Sequence, residues 1–215
     1  MNTMKGLILK DFLQLKMYKK TLILYIIIFT ISSMSSSNSN QMLLVLLPLI
    51  FGMFAISSFN YDTISKADKY ILALPTTKKE VVKARYVFIM LSTFLGAVIG
   101  ILLNILMTSI NTKIFIDVTS IFMTVISSTF VIAVIQAGYI PFIYKFGPEK
   151  GRIISVIVSI IFVSLAVGIL DTSGTFEKIN EMSEIIISAI TLLATLLVYY
   201  ISYKVSCIIY NKTEQ

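Results

Sequence analysis

Long runs of apolar residues alternate with short polar segments along the whole chain. Six runs approach or exceed the ~20 residues that a helix needs to cross ~30 Å of hydrocarbon. They lie at about residues 21–36, 42–59, 86–110, 118–144, 153–170 and 184–203. Continuous runs such as Leu43–Ile50 lack the alternation that is typical of membrane β-barrels. The pattern therefore predicts an all-α integral membrane protein, with six transmembrane helices in a single transmembrane domain over residues 1–215.

Residues 4–20 precede the first run and are amphipathic. At 100° per residue most of their apolar side chains share one stripe, which predicts a helix in the membrane interface. Asp11 falls inside this stripe, where a carboxylate needs a partner, and either Lys10 or a residue of another chain could supply it. Lys10 and Asp11 are therefore candidate residues for docking a cytoplasmic protein, and a plain interfacial anchor is the alternative.

The polar segment 60–85 separates the second and third runs and carries the densest cluster of charges. From Ile64 onward its apolar residues share one arc and its charged residues the other, which predicts an amphipathic helix that ends at Pro75. Thr77 and Glu80 match a capping box and predict the start of the helix that continues into the third span. Leu72 projects from the polar face, so it is either a contact for a partner's groove or a stray leucine on a solvated loop.

Small residues recur in the third run at a spacing of four. Gly96 and Gly100 form a small-xxx-small motif that lets another helix approach closely, and Asn104 can donate or accept a hydrogen bond there. The strip is a candidate for helix packing or dimerisation. The sequence leaves open whether it faces its own bundle or a second protomer.

Composition supports the membrane assignment, since 57% of the residues are hydrophobic and 13% are charged. Soluble domains carry nearer 25% charged residues, and a disordered chain would be far more polar. The segments before the first run, at 60–85, at 145–152 and after the sixth run hold 16 of the 18 Lys and Arg. This asymmetry predicts that both termini are cytoplasmic. The orientation of the chain in the membrane and contact with anionic lipid explain the excess of basic over acidic residues, so no nucleic-acid partner is expected.

Several classes of chemistry lack candidate residues in this sequence. It contains no His and a single Cys, Cys207, so neither a metal site nor a cofactor site is expected. It has no G-x-x-x-x-G-K-[ST] phosphate loop and no Asp, Glu, Lys or Arg deep within a span. The first absence argues against an ATPase in this chain, and the second against an ion-coupled carrier. We therefore expect that the chain is not an enzyme.

Two regions resemble small bacterial ABC-2-type transporter permeases. Met4–Asp11 is similar to the start of such permeases, and Phe59–Asp62, Lys66–Tyr70, Leu74–Pro75 and Thr77–Val82 resemble their first cytoplasmic loop. The resemblance covers the whole chain in topology and is specific over residues 4–11 and 59–86. Many members have Arg after the Pro-containing turn where this chain has Lys78 and Lys79, so bidentate pairing is not inferred there.

The resemblance implies a half-transporter in the bacterial plasma membrane, with a coupling helix between the second and third spans. A second copy of the chain or a related permease would join it, with two cytoplasmic ABC ATPase subunits that hold ATP and Mg. The residues that would couple to the ATPase are Asp62, Lys66, Asp68, Lys69, Leu72 and Pro75. Relatives from Gram-positive bacteria suggest export of amphipathic peptides such as phenol-soluble modulins. The alternatives are a non-transporting membrane anchor or sensor that recruits a cytoplasmic partner through residues 60–85, and a secondary carrier or channel.

Overall fold

The computed structural model of the chain describes residues 3–34, 40–65, 77–110, 118–151, 153–158, 164 and 184–212. These residues are helical almost throughout, with no β-strand among them. The principal helices are α1 (Thr3–Leu15), α2 (Lys19–Met34), α3 (Asn40–Ile64), α4 (Lys78–Ile110), α5 (Val118–Phe146) and α6 (Glu184–Lys212). A 3₁₀ turn, Lys16–Tyr18, joins α1 to α2, and residues 148–151 and 153–158 are also helical.

Four helices in the described part are long and apolar enough to cross a membrane: Gln41–Ile64, Lys78–Ser109, Val118–Phe146 and Ile186–Lys212. The predicted all-helical membrane fold is therefore confirmed. Helix α2 has 16 residues and is about 24 Å long, which is shorter than the hydrocarbon core. Of the predicted fifth span, only residues 153–158 and 164 are described. The number of six spans stays a prediction.

The chain divides into two compact units, Met1–Ile132 and Ala133–Gln215. In the first unit, α3 and α4 pack backbone to backbone at the two glycines of the predicted strip. A Cβ on Gly96 would lie 2.8 Å from the carbonyl oxygen of Leu47, and one on Gly100 would lie 3.0 Å from that of Leu43. The two helices are antiparallel here, since the later position on α4 meets the earlier one on α3. This face of α4 is therefore covered within the same chain.

Both prolines inside the described helices free a carbonyl oxygen that a serine of another helix satisfies. Proline has no N–H, so Pro48 leaves the carbonyl of Leu44 without its usual intrahelical donor. The Ser128 hydroxyl on α5 donates to that oxygen at 3.3 Å. Such interhelical bonds restore the pairing that a backbone group needs in an apolar surrounding.

The second unit repeats this arrangement between α5 and α6. Pro141 frees the carbonyl of Ala137, and the Ser202 hydroxyl on α6 donates to it at 2.6 Å. The Tyr199 hydroxyl donates to Gln136 Oε1 one turn before. Further along, the rings of Tyr144 and Tyr210 lie 5.0 Å apart. Positions on the two helices increase together, so α5 and α6 run parallel.

Local signals explain two helix ends. Helix α4 begins with the predicted capping box, which is confirmed: Thr77 N–H donates to Glu80 Oε2 at 2.9 Å, and Glu80 N–H donates to Thr77 Oγ1 at 3.3 Å. Helix α5 ends where Gly147 adopts φ +80°, a left-handed conformation that glycine reaches without strain. Pro148 follows and begins the next helical turn.

Candidate functional site

Four charged side chains meet at one end of the α3–α4 hairpin, and we call Lys10, Asp11, Asp62 and Arg85 the charge cluster. Lys10 and Asp11 come from α1, Asp62 from the last turn of α3, and Arg85 from the third turn of α4. Segment 66–76, the centre of the predicted coupling loop, lies in the chain between the Asp62 and Arg85 helices. The cluster thus joins the N-terminal helix to both flanks of that segment.

Arg85 contacts both carboxylates of the charge cluster. Its Nη1 donates to Asp11 Oδ1 at 2.8 Å, and its Nη2 pairs with Asp62 Oδ2. The same Nη1 donates to the Ser58 hydroxyl at 2.8 Å. One guanidinium can serve these partners because it presents five N–H groups in a rigid fork.

Lys10 bridges the same two carboxylates from the other side. Its Nζ lies 2.7 Å from Asp62 Oδ2 and 3.4 Å from Asp11 Oδ1. Gln14, one turn further along α1, donates from Nε2 to Asp62 Oδ1 at 2.7 Å. Both oxygens of Asp62 therefore accept from α1, which holds the N-terminal helix against the end of α3.

The charge cluster is neutral as a whole and is mostly out of contact with solvent. The side chains of Asp11, Asp62 and Arg85 are 2%, 1% and 6% exposed, whereas Lys10 is 31% exposed. Burial raises the pKa of the Asp11 carboxyl, and Arg85 and Lys10 counteract the rise. Removing one charge from such a set leaves another buried without compensation, which costs more than the intact set contributes.

Aromatic side chains cover the charge cluster on its apolar side. The Phe12 ring of α1 meets Phe88 of α4 edge to face at 5.1 Å. The Arg85 guanidinium lies 4.8 Å from the centre of the Phe59 ring. The Phe59 ring excludes water from its side of the guanidinium, so the ion pairs of Arg85 are stronger than they would be in water.

The burial pattern of α1 agrees with the predicted stripe. Leu7 and Asp11 are buried, while Leu9 and Leu13, which fall outside the stripe at 100° per residue, are 61% and 57% exposed. Asp11 has the predicted partner Lys10 and also Arg85, which the sequence reasoning missed. A signal for this partner was present in the sequence: a carboxylate on the apolar stripe, such as Asp11, requires a cation on the surface against which the stripe packs.

The structure differs from the sequence reasoning at Asp62. Asp62 lies beyond the predicted end of the second span at residue 59, but α3 continues to Ile64 and includes it. Asp62 is therefore buried against α1 and α4, and its role in coupling to an ATPase stays a prediction. The other predicted coupling residues lie outside the described residues: Lys66, Asp68, Lys69, Leu72 and Pro75.

The predicted packing residues lie together on α4. Gly96 and Gly100 contact α3 as given above, and Asn104 is buried one turn further on. No group of three or more His, Cys, Asp or Glu that could hold a metal ion occurs within the described ranges. The arrangement at the charge cluster suits a mechanical role, because it fastens three helices together and presents no nucleophile beside a base.

Comparison with known proteins identifies the family. Neither the search of curated proteins nor that of solved structures gave a match. A family profile described as ABC-2 family transporter protein matches residues 6–211, nearly the whole chain. Proteins of this family are membrane components of ABC transporters and are not themselves catalytic. The chain therefore belongs to the ABC-2 transporter family, as a multi-pass membrane protein with a permease role.

Proposed function

We propose that the chain is the permease subunit of a bacterial ABC exporter, driven by a separate cytoplasmic ATPase. Its substrate would be amphipathic or hydrophobic, and the leading candidate is a membrane-active peptide. One observation carries the proposal: the charge cluster fastens α1 to both flanks of segment 66–76. A push from a partner on that segment would then reach three helices at once.

The proposal includes six spans with both termini in the cytoplasm. The uneven distribution of Lys and Arg, 16 of 18 on one side, supports this orientation. The parallel course of α5 and α6 supports a span between them. A chain that leaves α5 at Phe146 must travel back along the unit before α6 can start at Glu184. The apolar run at 153–170 is long enough for that crossing.

Motion would pass from the ATPase to the spans through the charge cluster. Segment 66–76 would receive the motion, and its two flanks are α3 and α4. These helices also pack backbone to backbone at Gly96 and Gly100, so the hairpin would move as one body. Sliding α1 away from the hairpin would break contacts of Asp11 and Asp62 that are costly to lose. The N-terminal helix would therefore follow the hairpin.

The nature of the spans supports an apolar or amphipathic substrate. No Asp, Glu, Lys or Arg occurs within residues 41–59, 86–110, 118–144 or 185–203. A path for a small ion or a polar solute would need such groups at membrane depth. An amphipathic helix does not need them, because its apolar face can follow the lipid-facing surface. A second copy of the chain or a related permease would provide the other half of the path.

Co-purification and reconstitution test the proposal. The chain is co-expressed with its candidate ATPase, and the complex is placed in vesicles with a fluorescent amphipathic peptide. We expect ATP-dependent peptide movement. Leu72→Ala should lower both movement and ATP hydrolysis, while Lys212→Gln, an exposed position at the end of α6, should leave them unchanged.

Two results would contradict parts of the proposal. Wild-type transport and hydrolysis in Leu72→Ala would show that residues 60–85 do not couple the ATPase to the spans. A stable complex with the cytoplasmic partner, but without any ATP-dependent transport, would instead favour the membrane anchor or sensor.

A further inference from the structure

Helix α1 has a second set of apolar residues, on the side opposite to the stripe that the sequence indicated. The indicated stripe packs inside the protein: Leu7 is buried, and the Phe12 ring meets Phe88 of α4. Leu9 and Leu13, one turn apart on the other side, are 61% and 57% exposed. An anchor in the membrane interface would therefore use Leu9 and Leu13 and not the stripe that the sequence indicated.

Two lysines flank these leucines. Lys5 precedes Leu9 by four residues and Lys16 follows Leu13 by three, so the four side chains share an arc of about 80° at 100° per residue. We call these four residues the exposed face of α1, since both lysines are exposed as well. The one acidic residue of α1, Asp11, is 2% exposed and belongs to the charge cluster. The exposed face of α1 thus combines aliphatic side chains with positive charge alone.

The charge cluster fixes the level of α1 along the two neighbouring spans. Residues 41–61 of α3 and 86–109 of α4 contain no Asp, Glu, Lys or Arg, and each stretch is long enough to fill the hydrocarbon core. Asp62 and Arg85 come directly after the first stretch and directly before the second, and both pair with charged side chains of α1. A bilayer that surrounds the two uncharged stretches would therefore meet α1 at the level of its headgroups.

We propose that the exposed face of α1 binds anionic phospholipid of the adjoining leaflet. Leu9 and Leu13 lie among the first methylene groups of the acyl chains, and Lys5 and Lys16 lie at the phosphates. Charge complementarity selects this occupant, because the face carries positive charge without any negative charge. A lysine can also bury its stem against hydrocarbon while its ammonium group stays among the headgroups. Each lysine should enrich anionic lipid roughly fivefold beside the helix. The contact requires neither the ATPase nor transport.

Tryptophan fluorescence tests the contact, because the chain contains no Trp of its own. The full chain with Leu13→Trp is reconstituted in phosphatidylcholine vesicles that contain a minor share of phosphatidylglycerol. Bromine atoms on the acyl chains of either lipid quench a tryptophan beside them. At equal mole fractions, we expect brominated phosphatidylglycerol to quench more strongly than brominated phosphatidylcholine. Leu9→Trp is a second reporter on the same face and should show the same preference.

Matched variants separate the two lysines from general lipid contact. In the Leu13→Trp chain, Lys5→Gln with Lys16→Gln should remove the preference for phosphatidylglycerol. The pair Lys150→Gln and Lys212→Gln, also exposed, should leave it unchanged. Leu193→Trp, at a 62% exposed position within α6, reports ordinary lipid contact and should show no preference.

Three results would overturn the proposal. Equal quenching of both reporters by the two lipids would mean that the lysines do not select the headgroup. Quenching by neither lipid would mean that the exposed face of α1 lies in water. An added ATPase subunit that shields both reporters from brominated phosphatidylglycerol would assign the face to that protein. A lack of ATP-driven transport, by contrast, would bear on the proposed function and leave the lipid contact intact.

Discussion

Replacing Arg85 by Met should be among the most destabilising changes to the first unit. The substitution keeps an apolar stem of similar length but leaves Asp11 and Asp62, each no more than 2% exposed, opposite Lys10 alone. Breaking a buried ion pair by removing one partner costs about 3–5 kcal/mol. At about 2–4 °C per kcal/mol for a chain of this length, the expected fall in Tm is on the order of 10 °C.

Thermal unfolding in detergent measures this loss, and hydrogen exchange locates it. We expect Tm to fall and the amides of α1 to exchange faster, because α1 has charged contacts to both Arg85 and Asp62. Lys83→Met is the matched control, since Lys83 is an exposed cation two residues earlier on α4. Its Tm should change by less than a fifth as much.

A second substitution determines whether charge or packing causes the loss. Combining Arg85→Met with Asp11→Asn restores neutrality, because Lys10 then faces Asp62 alone at 2.7 Å. The double variant should therefore lose less than the sum of the two single variants, by roughly 1–3 kcal/mol. Strict additivity, or a wild-type Tm for Arg85→Met, would refute the electrostatic account of the cluster.

Three further predictions concern the helices that carry the site. Ser202→Ala should lower the free energy of unfolding by about 0.6–1.7 kcal/mol. In a Pro141→Ala background the same change should cost almost nothing, because the backbone N–H of Ala at position 141 then donates to the carbonyl of Ala137. An equal cost in both backgrounds would contradict the role assigned to the Ser202 hydroxyl. Gly96→Ala should destabilise by about 1–3 kcal/mol, because its Cβ would meet the backbone of α3 at 2.8 Å. Gly6→Ala has open space and should be neutral or slightly stabilising, so an equal loss there would refute the packing argument. Thr77→Ala should cost about 1 kcal/mol and speed amide exchange in the first turn of α4; unchanged exchange would argue that the capping box is dispensable.

Features that depend on neighbouring residues in the chain could be predicted from the sequence. The capping box at Thr77 requires residues three positions apart, and the stripe of α1 requires only a period of 3.6. The strip of small residues at Gly96 and Gly100 could also be predicted, because side chains at a spacing of four lie on one face of a helix. The end of α3 could not be predicted, since Asn60–Ile64 is polar by composition and yet remains helical while it contacts α1 and α4.

The charge cluster shows why the remaining features could be found only in the tertiary structure. The sequence indicated that Asp11 needs a cation, but Arg85 is 74 residues away in the chain and no local rule links them. The serine that compensates each proline likewise could not be predicted, because it is distant in the chain. The sequence identifies the carbonyl that Pro48 frees, but not that Ser128, 84 residues away from Leu44, donates to it.

The sequence by itself determined that this protein folds in a lipid bilayer, that its fold is helical, and which segments are apolar spans and which are charged ends. These properties follow from composition and short-range periodicity, which act on each segment independently. Only the tertiary structure decided which buried charges meet, that Gly96 and Gly100 face α3 of the same chain, and that Ser202 of α6 donates to the carbonyl that Pro141 frees on α5. Such partnerships depend on which helix faces come into contact, and packing energy selects those contacts among residues far apart in sequence.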